Sequence, residues 1–239
     1  ALSGRLRFAQ GPAGMRLAAL HAEGTVPVAI LASVSPDAAR FEGGAPVVVD
    51  MDAGANHFSA QADLSPCMLA LGNTLAKAPG APLQIAIEGG APGAPWKPAT
   101  FDVSLSGQTV QGRFEQGRLI ADSIELDAAA LAPFVASKEP VAATGRITGS
   151  FATTPIELAL DLHDVAFKYG EGGAQSSAAP PARIDALNGR IQFQQGRWAL
   201  EQLAVCAADS DFLINGSGQG SEWNATVSGQ QLNVNAVTE

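Results

Sequence analysis

Several things are scarce in this chain of 239 residues, and each shortage excludes something. Its two cysteines, Cys67 and Cys206, are too few for a disulfide framework. A single bridge in an oxidising compartment and a pair of small apolar residues are the two readings open to them. Lysine and arginine number 14 against 23 acidic residues, for a formal charge of −9, and they form no cluster. Nothing in such a chain can neutralise a phosphate backbone or dock on anionic head groups, so the sequence supports no nucleic acid as a partner. Charged residues make up only 15% of the chain, yet no apolar run approaches the roughly 20 residues that span a bilayer as a helix. Membrane attachment would therefore come only through an anchor absent from this chain. The opening at Ala1, directly in a strand pattern, points to such an upstream targeting or anchoring segment. Ten Phe, three Trp and one Tyr are few for filling a wide sheet interior.

Chemistry-bearing patterns are equally thin. His21, His57 and His163 lie far apart, and neither a GxSxG elbow nor an SxxK pair offers a nucleophile. Asp161, His163 and Asp164 look like metal ligands, but alternation sends Leu160 and Leu162 to one face and Asp161 and His163 to water. Asp50, Asp52 and Asn56 around Gly54 imitate the start of a calcium loop, yet Gln61 stands where the loop needs Glu, so a turn is expected. Gly216 to Gly220 lies between two strand patterns and reads as a hairpin turn, since a phosphate loop would open a helix. The expectation is a chain that is not an enzyme, with no catalytic residue, no metal site and no cofactor.

Gly (26) and Pro (15) sit mostly between short apolar runs, which favours many strands over long helices. The clearest unit is Asn188 to Val205, where Ile191 and Phe193 alternate with Gln192 and Gln194 before a Gln195-Gly196 turn. Phe114 to Ala129 aligns on Phe193 to Ala208 without gaps, sharing Phe, Gln, Gly, Arg and two Ala. A looser copy, Gly4-Arg5, Phe8 and Gln10-Gly11, opens the chain. Hairpins recurring at wide spacing indicate one supersecondary unit stacked on its like.

These patterns predict an all-β fold: a curled, twisted antiparallel sheet built from repeated hairpins, as an open groove or a partly closed sandwich, with one or two short helices. The chain reads as a single elongated β domain over 1–239, with 1–98 and 99–239 as candidate sub-units. Helical spacing of Met68, Leu69, Leu71 and Leu75 after Ser65-Pro66 predicts a helix over 66–77. A second short helical segment is expected after Asp127, read as its cap. Val26 to Leu31 reads as a strand, Gly170 to Pro181 as a mobile polar loop, and Leu232 with Val234 as the last of three closing strands.

What remains is the apolar face of the strands. Phe101, Val103, Leu105, Leu158, Leu160, Phe193, Phe212 and Ile214 are plain core if the sheet closes, and line a lipid groove if it stays open.

Strand Ile156 to Leu162, LNGRIQFQQGRWALEQLAV and DFLINGSGQ together resemble the C-terminal region of AsmA/TamB-type envelope proteins. More narrowly, they resemble the N component of bacterial type II secretion systems. LDAAALAPF at Leu126 to Phe134 is similar to the short helix that often precedes this region, and the likeness covers the chain from roughly residue 100 onward. It implies a non-enzymatic periplasmic domain tethered to the bacterial inner membrane, with a twisted β-groove. It also implies a role in lipid transport or in a secretion assembly, with phospholipid acyl chains or other envelope and secretion proteins as partners. The alternative is a scaffold component of the secretion apparatus that binds proteins and no lipid.

Overall fold

The computed structural model describes residues 2–11, 14–29, 39–71, 75–91, 94–135, 141–169, 183–207, 210–220 and 222–231. The chain divides into two units, Ala1–Gly117 and Arg118–Glu239. Both are β structures in which the strand pairings are antiparallel.

Unit 1 contains β1 (Leu2–Gly11), β2 (Gly14–Pro27), β3 (Ala39–Glu42), β4 (Gly44–Asp52), β5 (His57–Asp63), β6 (Met68–Leu71), β7 (Leu75–Lys77), β8 (Leu83–Gly89), β9 (Pro98–Leu105) and β10 (Gln108–Glu115). Its main sheet runs β1-β2-β4-β5-β8-β9-β10, and β3, β6 and β7 form a small second sheet. Register carries the alternation from strand to strand. Leu6, Leu20, Met51 and Phe58 stand in one row, and Ile85, Val103 and Val110 in another. Because side chains alternate with period two, one face is apolar while Arg5, His21, Asp50 and Ser59 share the other.

The helix expected over 66–77 does not form. Met68–Leu71 pairs with Ala39–Glu42 on one side and with Leu75–Lys77 on the other. Short apolar runs are ambiguous between strand and helix, and here pairing on both sides of Met68–Leu71 decides for strand. Lys77, assigned to a helix end, is instead 2% exposed, and its Nζ donates to the carbonyl oxygens of Ser65 (2.9 Å), Cys67 (2.8 Å) and Ala78 (3.2 Å). An extended chain lets one ammonium satisfy three carbonyls of the loop beneath it. Cys67 beside it is fully buried with a free thiol, whose pKa burial pushes up. Cys206 is half-buried in unit 2.

Unit 2 contains β11 (Arg118–Asp127), a 3-10 helix (Ala128–Phe134), β12 (Val141–Ala152), β13 (Glu157–Tyr169), β14 (Arg183–Gln194), β15 (Arg197–Ala207), β16 (Ser210–Gln219) and β17 (Glu222–Gln231), with the strands paired in chain order. The second short helix is thus present, although the Asp127 side chain makes no capping bond to it.

The repeated sequence has a repeated backbone. Gln116-Gly117 (φ 51° and 80°) and Gln195-Gly196 (φ 52° and 79°) have matching backbone angles, and the second pair joins β14 to β15 with φ positive at both positions, as a tight hairpin loop requires. The looser copy differs, because β1 continues through Gln10-Gly11, with Gln10 opposite Met15 and Gly11 opposite Gly14. β2 ends at Pro27, and Val28 is a buried residue beyond it whose N–H donates to the Gly43 carbonyl. Ile156 precedes β13 and is exposed, and Gly216 and Gly218 lie within β16 rather than in a turn. Residues 30–31, the loop at 170–181 and the strand expected at 232–234 lie outside the described residues.

A second repeat, invisible in the sequence, pins unit 2 together. Gly145 in β12 faces a bulge at Asp164-Val165, where Asp164 has φ 49°. Gly189 in β14 faces a bulge at Gln202-Leu203, where Gln202 has φ 48°. A left-handed residue turns its amide out of the ladder, and in both cases an asparagine on the next strand takes it. The Asp164 N–H donates to Asn188 Oδ1 and the Gln202 N–H to Asn215 Oδ1, each at 2.8 Å.

Candidate functional site

Unit 2 carries its apolar side chains in cross-strand rows on one face. Phe151, Leu158, Phe193, Trp198, Gly218 and Trp223 form one row. Gly149, Leu160, Ile191, Leu200, Gly216 and Ala225 form the next. Past the Gln202 bulge, Leu203, Ile214 and Val227 continue the face, followed by Val205, Phe212 and Gly229. Five of the expected groove residues, Leu158, Leu160, Phe193, Phe212 and Ile214, therefore share one surface, and each is half-buried. Phe151, Ile191, Trp198, Leu200, Val205 and Trp223 belong to the same surface and were missing from the expected set. Period-two counting outward from Leu158 and Phe193 finds them once the strand register is known.

The other three, Phe101, Val103 and Leu105, lie on β9 of unit 1. Phe101 is 9% exposed and packs edge to face on Phe114 at 5.6 Å, which makes it core, while Val103 and Leu105 are half-buried.

The face of unit 2 is not uniform. At one end the 3-10 helix lies on it, and Ala128, Ala143, Ile147, Leu162, Val165 and Leu203 form a buried cluster. Leu160, Ile191, Leu200 and Ile214 pack against the margin of this cluster. At the other end the Phe193 and Trp198 rings meet at 4.5 Å, and Trp223 is 55% exposed. The result is a surface with one dry, plugged end and one open, aromatic end.

On the opposite face the side chains are polar and paired. Arg190 donates from Nε and Nη2 to the two carboxylate oxygens of Asp161, at 2.6 and 3.0 Å, and His163 Nε2 lies 3.2 Å from Thr148 Oγ1. Next to them, a recess of about 920 Å³ is lined by Gln192, Gln194, Arg197, Ser217, Gln219 and Asn224 among others. In unit 1, Asp52 Oδ1 accepts from the N–H groups of Gly54 and Ala55, which is the turn expected there, and His21 Nδ1 lies 2.6 Å from Asp50 Oδ1. Among the described residues no group of three or more His, Cys, Asp or Glu is placed to hold a metal ion. No helix among them is long and apolar enough to cross a membrane.

No family model, curated protein or solved structure matches this chain.

The carboxylates on the polar faces set an acid limit. Backbone hydrogen bonds from Gly54 and Ala55 hold Asp52 below the usual carboxylate range, the Ser65 hydroxyl and amide lower Asp63, and the hydrogen bonds from Arg190 lower Asp161. In the unfolded chain these groups return to ordinary values near 4, so below that pH the unfolded state binds more protons. The stability they contribute is present above about pH 4 and lost as pH falls through the lowered folded values. Urea midpoints measured from pH 6 to pH 2 should drop most steeply below about pH 4. In Asp52→Asn/Asp161→Asn that drop should be shallower, and an unchanged profile would count against these two groups as its source.

Proposed function

We propose that the apolar face of unit 2 holds the acyl chains of lipid, and that the protein is a non-enzymatic lipid-handling domain of the bacterial envelope. The observation that carries this reading is the row Phe151, Leu158, Phe193, Trp198 and Trp223, apolar across successive strands yet half-buried or exposed outside the buried cluster. Each methylene moved from water onto such a surface gains roughly 0.8 kcal/mol, so a chain of a dozen carbons has ample driving force. The plugged end would take the methyl terminus and the aromatic end would face the head group, since Trp rings suit a boundary between apolar and wet surroundings. The resemblance of the sequence to AsmA/TamB-type and type II secretion proteins supports this role and, with it, a periplasmic setting.

The test is a pair of charges on one strand. Leu158 sits in the open row, where a carboxylate can reach water, whereas Leu162 is 6% exposed within the buried cluster. Leu158→Glu should keep its circular dichroism and lose about tenfold or more in affinity for a fluorescent fatty acid. Leu162→Glu should fail to fold. Should the wild-type protein ignore the probe, or should Leu158→Glu unfold as Leu162→Glu does, the face is simply core.

A further inference from the structure

Among the described residues, the sheet of unit 2 has an open edge at β17. β17 is the last strand of its sheet, and no described strand lies on its outer side. From Glu222 to Gly229 every residue is exposed, and Trp223 (55%) and Val227 (59%) are among the large apolar side chains left in water. Proteins normally guard such an edge with Lys or Arg, proline, a bulge or shortness. β1, the outer strand of unit 1, is guarded in this way, with Arg5, Arg7 and a register shift at Arg7/Phe8. β17 has ten residues; its register shift against β16 lies at the far end, between Gly229 and Gln231, and the pairing runs unbroken from Phe212↔Gly229 to Gln219↔Glu222. Glu222, at its start, is the only charged residue it contains.

We propose that β17 is the interface of a two-fold dimer, in which the β17 strands of two copies pair antiparallel about Ala225. A strand edge that meets its own copy places residues summing to a constant opposite one another. Centred on Ala225, the register sets Trp223 against Val227, Asn224 against Thr226 and Glu222 against Ser228. Aromatic against β-branched is a favourable cross-strand pair, polar meets polar, and the two carboxylates are kept apart. A two-fold axis normal to the sheet leaves both apolar faces on one side, so the dimer joins two of them into one wider surface. This inference stands on the edge alone and does not need the lipid reading.

The experiment uses the whole chain without lipid or detergent, in sedimentation and native mass spectrometry. Wild type should be a dimer that dissociates on dilution. Asn224→Lys/Thr226→Lys sets like charges opposite each other at both symmetric positions without touching the apolar face. It should weaken association about tenfold or more. Asn224→Asp/Thr226→Asp should do the same, and a mixture of the two variants should recover a heterodimer. Ala225→Cys places two thiols across the axis at directly opposed positions, so mild oxidation should join the copies through residue 225. A wild-type protein that stays monomeric up to its solubility limit overturns the proposal. So does a dimer that both charged variants leave intact, or a cross-link that avoids residue 225. If a charged variant misfolds, the cysteine cross-link alone decides.

Discussion

Gly145→Val and Gly189→Val should each abolish folding of unit 2 or lower its stability by roughly 4 kcal/mol or more, among the largest effects of any single substitution. Both glycines have a left-handed backbone, φ 101° and 138°, which a β-branched residue adopts only under strain. Strain is the smaller part of the effect. A Cβ at position 145 would lie 2.3 Å from the Asp164 carbonyl oxygen and 2.6 Å from the Val165 Cα. At position 189 it would lie 2.6 Å from the Gln202 oxygen and 2.7 Å from the Leu203 Cα. These are backbone atoms of the opposing bulge and cannot rotate away. Relieving the overlap would part β12 from β13, or β14 from β15, next to Val165 and Leu203 in the buried cluster. Gly196→Ala is the control, since Gly196 has φ 79° but nothing within 4 Å of a Cβ, and it should cost only about 1 kcal/mol. Urea unfolding of the three variants separates strain from overlap. Equal costs for Gly189→Val and Gly196→Ala would mean that the bulges yield.

Lys77→Met should be the most damaging conservative change in unit 1. Methionine keeps the length and the apolar stem of lysine but cannot donate, so the carbonyls of Ser65, Cys67 and Ala78 lose their shared ammonium. The Ser65 carbonyl keeps the Gly80 N–H (2.7 Å) and the Ala78 carbonyl keeps the Ala81 N–H (3.3 Å), so the Cys67 carbonyl is the one that depends on the ammonium, and leaving a buried polar group unsatisfied costs about 1–3 kcal/mol. The compensating gain is modest. Burial draws the Lys77 pKa below its usual range, and methionine avoids that desolvation. Lys77→Arg probes the same point from the other side, because a planar guanidinium cannot direct three N–H groups inward as an ammonium does. Denaturant midpoints for both variants, with an unchanged m-value, would give the cost. A Lys77→Met protein as stable as wild type would show that solvent serves those carbonyls well.

The fold class and much of the strand layout were legible because period-two alternation is a local property. Leu158, Leu160 and Leu162 separate from Asp161 and His163 on two faces whatever the neighbouring strand is. The Gln116-Gly117 and Gln195-Gly196 turns were legible for the same reason, since a tight hairpin asks for positive φ at two adjacent residues. The run from Met68 to Lys77 was misleading, because its apolar spacing suits either a helix or a hairpin. What decides it lies elsewhere in the chain: the partner strand Ala39–Glu42, and the carbonyls of Ser65 and Cys67 that take up the ammonium of Lys77.

By itself, then, the sequence determined which side of each strand is dry and where most chain reversals fall, since both depend on residues only a few positions apart. Tertiary structure alone decided which dry faces join into a surface, where the 3-10 helix covers that surface, and which edge is left unguarded. Those outcomes depend on pairing between residues far apart in the chain. Asn188 beside Asp164 and Asn215 beside Gln202 are examples, because a side chain that captures an amide on the neighbouring strand has no local signature until the register brings the two together.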